Sequence, residues 1–239
     1  MSSRTRSGIQ ASVSQLASLD SSSTLDSSDL TLYTQKVVCP TLDYEKSLWK
    51  RGYSFVCGID EVGRGCFAGP VVVGAVIFPQ GCELINGVAD SKLLTPLKRQ
   101  NLDPRIKSQA VSWAVAEVSV SIINKVGIGQ ATQIAFRKVV KLLSKNPSYI
   151  LMDAFYIKHL NRKKQLAIVK GDQKSYSIAA ASIIAKVHRD RLMGKLHKKY
   201  PQYGFGKHKG YGTKHHRQMI KQFGLSKMHR TSFNLQKFL

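Results

Sequence analysis

Four carboxylates occupy positions from which they could act together. Each lies at or just past the end of an apolar run that predicts a β-strand: Asp60 and Glu61 after Phe55–Ile59, Asp153 after Tyr149–Met152, and Asp172 after Gln165–Val169. In α/β sheets, functional groups collect where strands end. If the three strands are neighbours, the four carboxylates converge at one edge of the sheet.

Adjacent residues on a regular strand point to opposite faces. Asp60 and Glu61 can therefore serve one site only if the strand ends or twists at that point. Gly63 and Gly65 follow directly, and glycine allows the backbone such a departure.

Oxygen donors without His or Cys are typical of a site for a hard cation, Mg²⁺ or Mn²⁺. Two such ions about 4 Å apart can activate a water and stabilise the leaving oxygen of a phosphodiester. The alternative is that each acid pairs with a nearby Lys or Arg. That alternative is favoured for any one acid alone, whereas four acids at strand ends in a basic chain favour metal.

Two loops could hold an anionic ligand. Gly63-Arg64-Gly65 allows close approach of the backbone and offers a guanidinium to clamp a phosphate; the alternative is an ordinary hairpin turn. Lys207–Thr213 places Tyr211 between glycines and cations, which can contact phosphates and a sugar or base; the alternative is a flexible basic loop with a packed Tyr. We interpret His215, His216 and His229 as surface residues or phosphate contacts.

Charge points to the class of ligand. Lys and Arg number 37 against 14 Asp and Glu, a net charge of +23. This predicts a polyanionic partner, with nucleic acid first and an anionic membrane second, against the alternative of a solvated basic surface. No stretch approaches the ~20 apolar residues of a membrane span, and no Walker A motif supports ATP use. The four cysteines form no C-x-x-C pair, so we expect reduced thiols in a cytoplasmic protein.

The first 35 residues differ from the rest. Eleven of the first 28 are Ser, which predicts a disordered tail. Arg4 and Arg6 among these serines also fit a transit peptide, which would make the protein organellar, although Asp20, Asp26 and Asp29 weigh against it.

The elements that must position the carboxylates follow in the order β-β-β-α-β-α-β-α. We predict strands over Phe55–Asp60, Val71–Phe78, Trp113–Ile122, Tyr149–Met152 and Gln165–Val169, and helices over Thr41–Tyr53, Ile128–Ser144, Ser177–Tyr200 and Lys214–Phe223. Thr95 before Pro96 fits a helix N-cap. Three early strands joined by short turns should be antiparallel and the later ones parallel, which gives an α/β fold with a mixed sheet.

These residues resemble a known family. Gly58–Gly65 with Ala68-Gly69-Pro70 resembles the first motif of bacterial ribonuclease HII. The family's later motifs follow in order, and the match covers about residues 50–234: Asp90-Ser91-Lys92-Leu93, Asp153, Gly171-Asp172, Ser177–Val187 with Arg189-Asp190, Lys209-Gly210-Tyr211 with Thr213 and His216, and His229-Arg230 with Ser232-Phe233.

The resemblance implies an RNase H-like mixed five-stranded sheet flanked by helices, with a C-terminal helical extension. We therefore expect a catalytic domain over residues 36–200 and a basic loop and helical region over 201–239 packed on it. It implies hydrolysis of the RNA strand of RNA–DNA hybrids and incision 5′ of single ribonucleotides embedded in duplex DNA. Asp60, Glu61, Asp153 and Asp172 would be the catalytic, metal-binding residues. Gly63, Arg64, Gly65 and Tyr211 would bind the substrate at the ribonucleotide junction.

Together these observations predict a two-metal phosphodiesterase that leaves a 3′-hydroxyl and a 5′-phosphate. Two alternatives are a non-catalytic nucleic-acid-binding module, in which four clustered acids would only repel the ligand, and a nuclease restricted to RNA–DNA hybrids. We expect a monomer. Gln236-Lys237-Phe238-Leu239 gives a faint indication of a sliding-clamp peptide.

Overall fold

Apolar, β-branched residues form the centre of the sheet. In the computed structural model, which describes residues 39–239, β1 spans Val56–Val62 and β2 spans Val71–Ile77. β2 is buried along its whole length, as expected for a strand that is covered on both faces. The predictions of a disordered tail or a transit peptide concern residues 1–35, which lie outside the described residues.

Three further strands complete the sheet: β3 Ser112–Val118, β4 Tyr149–Asp153 and β5 Gln165–Ile168. Their spatial order is β3-β2-β1-β4-β5. The pairs β1–β2 and β2–β3 are antiparallel, and β1–β4 and β4–β5 are parallel. The predicted mixed five-stranded sheet is therefore confirmed.

Seven α-helices occur among the described residues: α1 Asp43–Lys50, α2 Pro96–Gln109, α3 Val120–Leu142, α4 Gly171–Lys174, α5 Tyr176–Lys199, α6 Phe205–His208 and α7 Lys214–Phe223. Three short 3₁₀ turns span Arg162–Lys164, Pro201–Tyr203 and Gln236–Phe238. The long helix that the sequence predicts over Ser177–Tyr200 is present as α5, shifted by one residue at each end.

Helices cover both faces of the sheet. On one face, Ala131, Ala135 and Phe136 of α3 join a cluster with Ile59 and Val73 of the central strands. On the other face, the alanines of α5 pack with Val76, and α2 adds Leu102 and Ile106 from outside. These two apolar layers fix the sheet edge that carries the acidic residues.

Glycines let α5 lie unusually close to the central strands. A Cβ at Gly58 would come within 3.0 Å of the backbone of Ser177 and Ile178, and a Cβ at Gly74 would come equally close to the Ala181 carbonyl oxygen. The small side chains of the first half of α5 therefore have a structural purpose, since they let the helix backbone approach the sheet.

Two predicted connections are wrong. The link between β2 and β3 is no short turn but contains α2, which begins as predicted at Thr95, whose hydroxyl accepts a hydrogen bond from the Lys98 amide at 3.3 Å. The link between β4 and β5 contains a 3₁₀ turn and no α-helix. The strands it joins are nevertheless parallel.

Some predicted boundaries are also wrong. The first strand continues to Val62, past both carboxylates, because β2 pairs with it there. The third strand ends at Val118, since Ser119 caps α3 by accepting from the Ile122 amide. α3 thus begins eight residues before the predicted Ile128 and breaks at Gly127, whose φ is 75°.

The chain after α5 belongs to the same compact unit as the sheet. Tyr203 and Phe205 pack in one cluster with Met193 of α5 and with Ala68. A β-bridge also joins Ala68 to His229. In the described part of the chain, no helix combines the length and apolarity needed to span a bilayer.

We predict that Gly58→Ala lowers the free energy of unfolding by about 2–3 kcal/mol, because its methyl group would overlap the α5 backbone. Urea denaturation followed by circular dichroism measures this change. Gly194→Ala on the same helix is the matched control: that site is open, so alanine should stabilise by about 0.5–1 kcal/mol. Equal stability of both variants would contradict the close packing.

Candidate active site

Strand register places the acidic residues side by side. Ile59 of β1 pairs with Met152 of β4, so Asp60 and Asp153 follow at the same level on neighbouring parallel strands. Asp153 in turn pairs with Ile168 at the end of β5. The predicted convergence of these strand ends is present.

A sharp turn brings Asp172 back to this edge. Lys170 adopts a left-handed conformation with φ 56°, and α4 starts at the next residue, Gly171. The Gly171 amide donates a hydrogen bond of 2.8 Å to the Asp153 Oδ1. A Cβ at Gly171 would press on Ile178 and on the Asp153 backbone, so glycine allows the turn that presents Asp172.

The carboxylates act on one another electrostatically. Burial raises the pKa of Asp60 to about 7, and the charges of Asp153 and Asp172 reinforce this rise against a hydrogen bond from Ser182. Burial, followed by the charge of Asp60, raises the pKa of Glu61 to about 8 against the opposing charge of Arg64. Burial and Asp172 also raise the pKa of Asp153, against the Gly171 amide. The four residues therefore form one acidic cluster.

Two cations border this cluster. The Lys92 ammonium lies 3.0 Å from Asp172 Oδ2 and 4.0 Å from Asp90 Oδ1. Burial by itself lowers the pKa of Lys92. The hydrogen bond and the charge of Asp172 have the larger effect together, so the pKa is raised to about 12. Arg64 Nη1 lies 3.6 Å from Glu61 Oε1. Both cations are partly exposed, so the compensation they supply is weak.

The cluster fits a hard divalent cation, because its donors are all carboxylate oxygens and their mutual repulsion would be relieved by positive charge. Asp60, Glu61, Asp153 and Asp172 are the residues that could hold it. No three His, Cys, Asp or Glu residues of the 39–239 segment are already grouped to ligate one ion.

Two buried arginines form hydrogen bonds with the backbone of the loop that follows Glu61. Arg189 donates to the carbonyl oxygens of Pro70, Lys209 and Ala68 at 3.1, 2.8 and 3.2 Å. Arg230 donates to those of Gly69 and Arg64 at 2.7 to 3.0 Å. Both side chains are fully buried, so two guanidinium groups beneath the surface fix the backbone of the loop.

The predicted substrate-binding residues lie on this support. Gly63 has φ 91°, and a Cβ there would collide with the Arg189 side chain. Gly65 is exposed and faces open space. The Arg64 guanidinium lies 4.3 Å from the centre of the Phe155 ring.

Tyr211 approaches the same loop from the C-terminal region. Of this residue, 43% is exposed. The Phe67 amide donates to the Gly210 carbonyl oxygen at 2.8 Å. The structure thus brings Tyr211 to the loop that carries Arg64. Arg64 in turn forms an ion pair with Glu61 of the acidic cluster.

Sequence reasoning missed several residues of the site. It assigned no individual role to Lys92, Arg189 or Arg230. A cationic side chain among apolar or small residues indicates that the charge has a specific partner, and this is the signal that could have identified them. Its interpretation of His216 and His229 as surface residues or phosphate contacts is wrong, because both rings are buried and bonded to each other at 3.0 Å.

Comparisons with known proteins agree with this geometry. A family model described as Ribonuclease HII matches residues 57–236. The ribonuclease HII of Halalkalibacterium halodurans is 47% identical over 192 residues, which cover 80% of this chain and 72% of that protein.

Solved structures have the same fold. The ribonuclease H2 of Pyrococcus horikoshii matches with a TM-score of 0.63 and 27% identity over 77% of this chain and 96% of that one. The RNase HII of Archaeoglobus fulgidus, solved as a complex with PCNA, matches with a TM-score of 0.61 and 27% identity over 74% and 92%.

We predict that Asp60→Asn stabilises the protein when divalent cations are absent. The Asp60 pKa is raised from 3.8 to about 7, so the folded state binds the proton more tightly than the unfolded chain. The stability that results is complete below about pH 4 and is lost as the pH rises through 7. Asn carries no charge at any pH, so the variant does not suffer this loss. At pH 8 it should have a melting temperature a few degrees higher, which corresponds to a gain of about 1 kcal/mol in the free energy of unfolding.

Melting curves in EDTA at pH 8 and pH 4.5 test this prediction, with Glu83→Gln, a change at an exposed carboxylate, as the control. The gain of Asp60→Asn should shrink at pH 4.5. A destabilised variant at pH 8 would contradict the repulsion described above.

Proposed function

The chain belongs to the ribonuclease HII family, and on that premise we propose that it incises duplex DNA on the 5′ side of a single embedded ribonucleotide. Its coarser activity follows from the family: it is a metal-dependent ribonuclease H, a phosphodiester hydrolase that acts on the RNA strand of RNA–DNA hybrids. The proposal concerns the finer choice of substrate and the way in which the site works.

The observation that carries the proposal is the direct succession of acidic and anion-binding residues. Asp60 and Glu61 belong to the acidic cluster, and Gly63-Arg64-Gly65 follows within two residues, with Arg64 3.6 Å from Glu61. A 2′-hydroxyl distinguishes RNA from DNA at a given nucleotide. A loop that reads this group through its backbone beside the carboxylates would couple recognition to the place of cleavage.

The loop is suited to such recognition. Gly65 is exposed and leaves its backbone accessible. The buried guanidinium groups of Arg189 and Arg230 bond to carbonyl oxygens of the loop, so the backbone is fixed before substrate arrives and loses little entropy on binding. We assign Gly63, Arg64 and Gly65 to the ribonucleotide and Tyr211 to the neighbouring deoxyribonucleotide sugar.

Two divalent cations, Mg²⁺ or Mn²⁺, would lower the pKa of the attacking water and stabilise the departing 3′-oxygen. Asp60, Glu61, Asp153 and Asp172 would hold them. Lys92, whose side chain is 75% exposed, would move from Asp172 to a phosphate of the bound strand. Cleavage of the P–O3′ bond on the 5′ side of the ribonucleotide leaves a 3′-hydroxyl and a 5′-phosphate.

Partners follow from charge. The segment after Tyr156 carries 20 Lys and Arg against two Asp, which supports a duplex held through its phosphates and a salt-sensitive affinity. We propose a monomer, and a cytoplasmic location on the basis of four free thiols.

A sliding-clamp contact through the C-terminal residues is a separate proposal. The Archaeoglobus fulgidus protein was solved with PCNA. In the present chain, however, Phe238 stacks on Phe67 with ring centres 5.6 Å apart, and a clamp that bound this residue would have to detach it.

We predict that the wild type, with Mg²⁺ or Mn²⁺, cuts duplex DNA once, 5′ of a single ribonucleotide, and leaves pure DNA intact. Denaturing electrophoresis beside a long RNA–DNA hybrid shows which substrates are cut, and EDTA should abolish cleavage. Asp60→Asn should reduce the rate by more than about 10²-fold while duplex binding persists. Cleavage of the hybrid alone would restrict the enzyme to hybrids and overturn the proposal.

We predict that Arg64→Ala slows incision at the embedded ribonucleotide by about tenfold or more, because a charged contact next to the reacting phosphate is lost. Arg51→Ala is the control. Arg51 is exposed and precedes the N-terminal end of β1, whereas the acidic cluster lies at the C-terminal end. Unchanged rate and site choice in Arg64→Ala would remove this residue from recognition.

A further inference from the structure

Two buried histidines meet ring to ring behind the substrate-binding loop. His216 on α7 and His229 are 0% and 1% exposed. Their Nε2 atoms lie 3.0 Å apart. Two nitrogens at this distance share one proton, so one ring must donate and the other accept.

The neighbours decide which ring donates. The Ser226 amide donates to His229 Nδ1 at 2.8 Å, so the proton of His229 is on Nε2, which donates to His216 Nε2. The proton of His216 is then on Nδ1, which donates to the Tyr211 carbonyl oxygen at 2.8 Å. The hydrogen bonds thus assign opposite tautomers to the two rings and run in one direction, from Ser226 to Tyr211.

Both rings are neutral in this arrangement. Burial lowers the pKa of each to about 4, opposed by the backbone partner of each ring and reinforced by neighbouring histidines. The ring of His208 stacks on His216 with centres 4.4 Å apart. His208 is itself fixed, because it accepts from the Gly210 amide on Nδ1 and donates from Nε2 to the Tyr203 carbonyl oxygen.

The same segment also reaches the Arg64 loop. Arg230 follows His229, donates from its backbone amide to the Phe67 carbonyl oxygen at 2.8 Å, and donates from its guanidinium to Arg64 and Gly69. Residues 226–230 therefore bond to Tyr211 through the histidines and to the Arg64 loop through Arg230. These two contacts set the distance between the parts of the site assigned to substrate recognition.

We propose that His216 and His229 form a directional imidazole relay that positions Tyr211 against the Arg64 loop for substrate binding. They are positioning residues, since neither reaches the reacting atoms. The role of the relay in binding rests on the proposed function, whereas its existence does not. The relay is a property of the folded chain that can be measured without substrate.

The first experiment is ¹⁵N NMR of the histidine side chains of the full chain at pH 7. We expect the Nδ1–H tautomer for His216 and the Nε2–H tautomer for His229. The same tautomer in both rings, or a charged ring at pH 7, would overturn the relay whatever the wild type cleaves.

The second experiment separates positioning from stability. His216→Phe keeps a ring but removes the donor to Tyr211, and it should raise KM for the ribonucleotide-containing duplex about tenfold with kcat little changed. His216→Asn keeps an N–H donor near the Nδ1 position and should restore most of the KM, although both variants lose the bond to His229 and melt at a lower temperature.

His188→Phe is the control, because His188 lies on α5 with a side chain that is 43% exposed, and its KM should equal that of the wild type. Equal KM values for His216→Phe and His216→Asn would overturn the positioning role. The KM for the RNA–DNA hybrid is measured in parallel. A wild type that cuts only the hybrid defeats the proposed substrate choice, and the two His216 variants then decide the relay on the hybrid.

Discussion

Repulsion among carboxylates at one sheet edge is the constraint on which the rest of this structure depends. Asp60 and Asp172 are 7% and 2% exposed, and burial with like charge raises the pKa of Asp60 to about 7 and of Glu61 to about 8. No isolated element could hold such groups together. The sheet does so because its apolar layers, α3 on one face and α5 on the other, bury enough surface to offset the cost.

Positive charge is arranged around this cluster in two different ways. Lys92 and Arg64 are partly exposed and form ion pairs with it, so they can move toward a ligand. Arg189 and Arg230 are buried and bond to carbonyl oxygens, and within residues 39–239 neither forms an ion pair with an acid. The loop between Glu61 and Pro70 therefore packs against two buried positive charges. Their electrostatic potential favours the binding of a phosphate to this loop.

The sequence predicts the parts of the fold whose signal is local. β2 is a continuous apolar run, α5 lacks strong helix breakers, and the acids are rare enough for their positions to be informative. The start of α2 at Thr95 was predicted, but its extent to Gln109 between β2 and β3 was missed, because Pro104 lies inside it and few of its residues are apolar. The roles of Arg189, Arg230, His216 and His229 were missed for another reason. The arginines bond to backbone carbonyl oxygens 20 to 166 residues away, and the two histidine rings, 13 residues apart, bond to each other, and no local pattern records such pairs.

The strand itself explains how neighbouring carboxylates can serve one site. The sequence required β1 to end or twist at Asp60, yet β1 stays paired with β2 through Val62. What ends is the partner on the other side, because β4 stops at Asp153 and pairs with β1 only as far as Ile59. Beyond Ile59, β4 no longer pairs with β1, so Asp60 and Glu61 both lie at the edge where β4 ends. At this edge Asp60 and Glu61 of β1 and Asp153 of β4 would hold a cation, which would supply the positive charge that offsets their mutual repulsion.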